Sequence, residues 1–190
     1  MEWWQPDGED WKTTLKREGF AVVKGVLTGD RLSAAQNGML HAFEHITSAM
    51  DTPFLRDGTR AELRVPITRL FSKHGQLYQG WPPSITHSQF VWDVRQDPDV
   101  VDVFSQLHNV PREDLLTSFD AVSMMAPPEL TGLGWDTGNS WLHVDRSFAD
   151  PADEDYCVQG FVNLWPVCPG DATLTALRRS HTLISDAARE

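Results

Sequence analysis

The tripeptide His143-Val144-Asp145 sets an imidazole and a carboxylate two residues apart. On a strand, side chains at i and i+2 leave the same face, so both groups would meet one divalent ion. Two histidines and one carboxylate holding one face of an octahedron is the donor set of a non-haem Fe(II) centre. The spacing alone says little, because seven histidines and this aspartate content would give roughly 0.7 such pairs by chance. Its weight comes from the surroundings. A Gly-rich loop at 131–140 precedes it, an acidic loop follows, and a strand at 156–165 carries Gln159, Phe161 and Asn163 on its inward face.

Other residues with chemical potential read more plainly. His41 and His45 lie four apart on an expected helix and could chelate a metal. At ~100° per residue they fall opposite the apolar stripe of Leu32, Ala35, Met39, Phe43, Ile46 and Met50, so they read as solvated. The residues between Cys157 and Cys168 read as strand for most of their length, which at ~3.3 Å per residue holds the two sulfurs beyond disulfide reach. They read as free thiols packed like small hydrophobes. Eight tryptophans, spread from Trp3 to Trp165, suit core and pocket walls.

The elements that must position these groups come helices first, strands later, an α+β order. A short helix over 11–17 stops at Gly19, and Phe20-Ala21-Val22-Val23 follows as a strand. The stripe predicts a helix over 30–50. Residues 52–83 mix Pro, Gly and charge without a period and read as long loops. A helix spans 88–95, and Asp97-Pro98 starts another with a cap residue followed by proline, its inner face being Val100, Val103, Phe104 and Leu107. Strands are expected at 116–125, 141–145, 156–165 and 172–177.

The composition excludes several classes of function. Sixteen Lys+Arg against 27 Asp+Glu give a net charge of -11, which repels phosphate backbones, so no nucleic acid partner is expected. The first residues lack the basic and apolar regions of an export signal, and no apolar run approaches the ~20 residues of a membrane span. A cytoplasmic protein without a membrane partner is the expectation.

Trp141-Leu142-His143-Val144-Asp145, Val158-Gln159-Gly160-Phe161-Val162-Asn163-Leu164, Gly170-Asp171 and Ser180-His181 together resemble the phytanoyl-CoA dioxygenase family of Fe(II)- and 2-oxoglutarate-dependent oxygenases. The run from Gly19 to Leu27 is similar to that family's opening strand, so the resemblance covers most of the chain. It implies an α+β fold with a mainly β core, a double-stranded β-helix (jelly-roll, cupin-like) with flanking helices. The chain would form a single domain over 1–190, with a helical part at 1–115 and partial jelly-roll strands at 116–190. His143 and Asp145 would be ligands to Fe(II), and Phe161 would line the 2-oxoglutarate pocket. The reaction implied is hydroxylation of a small organic or lipid-like substrate.

The sequence departs from that pattern at its end. Such enzymes use a second histidine and a later cation for the distal carboxylate of 2-oxoglutarate, yet residues 182–190 contain no histidine and Arg189 is their only cation. The expectation is therefore a jelly-roll incomplete at its C-terminus, a fragment or a degenerate copy. His181 could replace the missing ligand only if its segment bends back towards His143 and Asp145. Two other classes stay open: a non-catalytic binding module whose exposed strand edge near 156–165 pairs with another chain, and a cupin-like metal isomerase or hydrolase.

Overall fold

In the computed structural model, residues 8–47, 76–77, 83–118, 122, 124–125, 142–145, 158–171 and 173–183 are described. They fall into two compact units. One draws on Met1–Val26, Ser140–Phe161 and Thr173–Glu190, the other on Leu27–Asn139 and Val162–Ala172.

The second unit has a helical core. Helix α2, Gly29–Thr47, buries Ala35, Met39 and Phe43 of the stripe that its sequence spells out, and Ala42 beside them. That face meets a 3-10 turn, Pro83–His87, and helix α3, Gln89–Arg95. Ile85, Phe90 and Val91 supply the other side of the core. Gly38 permits the close approach, since a Cβ there would lie 2.5 Å from the Cβ of Phe90. Helix α4, Pro98–His108, begins with proline after Asp97, whose side chain accepts the N–H groups of Asp99 and Val100. Arg31 of α2 donates to both carboxylate oxygens of Asp97 at 2.8 and 2.9 Å. This cap is thus also a tie between α2 and α4. His41 and His45 lie exposed on α2.

In the first unit, helix α1, Trp11–Glu18, starts at Asp10, whose side chain accepts the N–H of Thr13. It ends at Gly19 in the left-handed region, φ 82°, where glycine avoids the Cβ penalty. The residues that α1 buries are polar: Thr14 and Glu18 are 1% and 0% exposed. Residues Arg178, Arg179 and His181 lie against the end of this helix, the last within a 3-10 turn, Ser180–Leu183.

These helices overturn the expected fold class. A jelly-roll with a mainly β core is not what the described residues form; the α+β, mainly β reading is corrected to a mainly helical arrangement. Their strands are Gln76–Leu77 (β1) and Met124–Met125 (β2), antiparallel, with Gln76 opposite Met125 and Leu77 opposite Met124. The residues described from the expected strands 20–23, 141–145, 156–165 and 172–177 are irregular, as are those of 116–125 outside β2. The physical reason is that alternation states which side chains share a face but supplies no partner for the backbone. Polar groups here find side chains instead: the Leu164 carbonyl accepts from Gln36, and the Cys168 N–H donates to Asp171 at 2.8 Å. Of the loop expected over 52–83, residues 76–77 instead form β1 and residue 83 opens the 3-10 turn; residues 52–75 and 78–82, the Gly-rich loop at 131–140 and the acidic loop lie outside the described residues.

Candidate functional site

His143 and Asp145 come together although their segment is not a strand. The imidazole Nε2 lies 3.1 Å from Asp145 Oδ1, and the side chains are 48% and 49% exposed. The amide of Gln159 donates to the other carboxylate oxygen, Oδ2. Each oxygen of Asp145 therefore has its own neighbour. Leu142, Val144 and Phe161 stand exposed on the same unit, so polar groups and apolar side chains share its accessible surface.

The donor set is one imidazole nitrogen and one carboxylate oxygen, which suits Fe(II) and similar divalent ions. With metal–ligand bonds of ~2.1 Å, adjacent vertices of an octahedron lie ~3.0 Å apart. The observed 3.1 Å thus lets both atoms share one ion. It is also the length of a hydrogen bond when Nε2 carries a proton. The residues fit as two ligands of a metal site. Among the described residues, no three His, Cys, Asp or Glu side chains form a metal-holding group, so the metal-binding centre expected from the resemblance is not seen there, and the two ligands expected of this chain, His143 and Asp145, stand as a pair without a third.

His181 is engaged elsewhere. Its Nε2 lies 3.0 Å from the Lys16 carbonyl, one of the carbonyls that the end of α1 leaves without a helical partner. Its ring lies over Gly19, where a Cβ would come within 2.5 Å of Nδ1. Its place is a cap on α1.

Beside it, Glu18 gathers three arginines. Arg17 Nε donates to Oε1 at 2.7 Å, Arg178 Nε donates to Oε2, and Arg179 Nε lies 3.4 Å from Oε2. The Arg179 N–H adds a bond to the Glu18 carbonyl at 2.9 Å, with Arg179 itself in the left-handed region at φ 64°. That backbone geometry costs a non-glycine residue about 1–2 kcal/mol, and the converging bonds to Glu18 hold it. Hydrogen bonding from Arg178 first, and from Arg17 and Arg179 with it, brings the Glu18 carboxyl down to about 2 against the opposing effect of burial. Glu9 lies on the far side of Arg17, accepting from Nη1 and, at 2.8 Å, from Nη2, and its carboxyl is likewise lowered, chiefly by Arg17. Arginine pair 178–179 is thereby committed to a carboxylate of this chain.

Phe161, expected beside 2-oxoglutarate, is 58% exposed. Cys168 is a free and exposed thiol, where the sequence suggests burial; Cys157 lies outside the described residues. The Glu18 cluster escapes a reading of the sequence, its only signal being the four-residue step from Thr14 to Glu18. Gln159 is legible as a neighbour on the inward face, without a role.

No family model and no solved structure matches the chain. A protein of Aspergillus versicolor named "Ava biosynthesis cluster protein O" is 24% identical over 177 residues, covering 93% of this chain and 52% of that protein. The chain spans about half the length of this curated relative.

Proposed function

We propose that the chain carries the His143–Asp145 part of an Fe(II) site serving 2-oxoglutarate-dependent oxygenation of a small organic substrate. The observation that carries this reading is the convergence of His143 Nε2 and Asp145 Oδ1 at 3.1 Å. Half exposure keeps both donors within reach of ligands from solution. The relative's name refers to a biosynthesis cluster, which supports a small-molecule substrate. When bound, iron with 2-oxoglutarate supplies the activation of O₂ for oxidation of a C–H bond. The chain's own residues hold the ion on one side and set Asp145 in place through Gln159. Phe161 offers an apolar face to the cofactor or substrate carbon. Among the described residues no helix is long and apolar enough to cross a membrane, and the proposed compartment is the cytoplasm, where the free Cys168 thiol would stay reduced.

The test is an anaerobic Fe(II) titration of the 190-residue chain with and without 2-oxoglutarate. We expect weak binding that 2-oxoglutarate tightens, and at least a tenfold loss in His143→Ala and Asp145→Ala. Titration curves of those variants that overlay the unsubstituted chain would refute the reading.

A second reading is supported by Leu142, Phe161, Leu174, Leu177 and Leu183, which are 57–65% exposed on one unit. They suit a non-catalytic module that pairs with another chain.

A further inference from the structure

We infer that Gln159 is a positioning residue for Asp145, fixing which carboxylate oxygen is presented to a divalent ion; this rests on the metal-site reading above. A carboxylate can bind a cation through one oxygen or both, and an exposed aspartate rotates freely between those modes. Here the rotation is restrained. Gln159 Nε2 donates to Oδ2, while Oδ1 faces His143 Nε2 at 3.1 Å. The amide comes from a segment fourteen residues further along, so the restraint is tertiary and not a property of the local turn. A neutral amide is suited to the task, because it donates without cancelling the carboxylate charge that attracts the ion. A lysine or arginine there would compete with the metal for Asp145, and a second carboxylate would repel it.

The consequence is a one-oxygen contact from Asp145, leaving more of the ion's coordination sphere open than two-oxygen binding would. Outer partners of this kind commonly govern affinity by 10–100-fold. Gln159 is itself exposed, so replacing it removes the hydrogen bond without opening a cavity in the core.

The experiment is a Co(II) titration of the full 190-residue chain followed by visible absorption, with the His143→Ala, Asp145→Ala and Gln159→Leu variants and a thermal melt of each as a folding control. We expect Gln159→Leu to melt as the unsubstituted chain does, to bind Co(II) 10–100-fold more weakly, and to show shifted bands as Asp145 changes its mode of contact. If His143→Ala and Asp145→Ala lose Co(II) while Gln159→Leu keeps both affinity and bands, the positioning role is wrong and the metal site stands. If the unsubstituted chain takes no Co(II), or the His143 and Asp145 variants bind it equally well, the metal-site reading fails and the role of Gln159 falls with it.

Discussion

At the scale of single residues, a carboxylate is made useful by what surrounds it, and two in this chain show opposite outcomes. Asp145 keeps half of its surface open and one oxygen beside an imidazole. Glu18 is sealed under three guanidinium groups and holds structure together. Because its folded carboxyl sits at about 2, below the ordinary unfolded value of about 4.3, its contribution to stability is complete above the unfolded value. It declines as pH falls through the window between the two. The difference in denaturation midpoint between the unsubstituted chain and Glu18→Gln should therefore be large at pH 7, shrink below about pH 4.3 and nearly vanish near pH 2. A gap that stays constant across that range would show that Glu18 acts by packing instead of charge.

Elements give sharper energetic tests. Replacing a helical glycine by alanine ordinarily stabilises by up to about 1 kcal/mol, but at Gly38 the new methyl would meet Phe90 at 2.5 Å. Overpacking of that kind costs about 1–3 kcal/mol, so Gly38→Ala should be a net loss, read from urea unfolding; a gain would mean that α2 and α3 separate easily. Asp97 combines a helix cap with the tie to Arg31. Asp97→Ala should lower stability by about 1–3 kcal/mol, and Asp97→Asn by less, since an amide oxygen still caps. Equal losses would place the effect in the ion pair alone. The cap and the α2 stripe are both legible in the sequence, because each depends on residues a few positions apart. The strands are not, since pairing is decided by distant partners that alternation does not reveal. Helix α1 shows a related blindness: its buried face is Thr14 and Glu18, and a search for apolar periodicity passes over a polar face.

Over the whole molecule, the chain combines an acidic balance with a helical core in one unit and exposed apolar side chains in the other. The net charge of -11 favours cations over anions near its surface, which suits the metal ion proposed for the His143–Asp145 pair. The two-residue spacing singles the pair out in the sequence only on the premise of a strand, which residues 142–145 do not form, so the approach of the two side chains does not depend on a jelly-roll. A mainly helical set of described elements can still present an imidazole and a carboxylate side by side, since a site is a matter of local geometry and not of fold class. The most direct measurement is anomalous diffraction from crystals of the 190-residue chain soaked in Mn(II), which takes the same nitrogen and oxygen donors as Fe(II). The account predicts one anomalous peak within bonding distance of both His143 Nε2 and Asp145 Oδ1, with Gln159 still donating to Oδ2. A peak bound elsewhere, with the His143–Asp145 contact intact and no metal beside it, would contradict it.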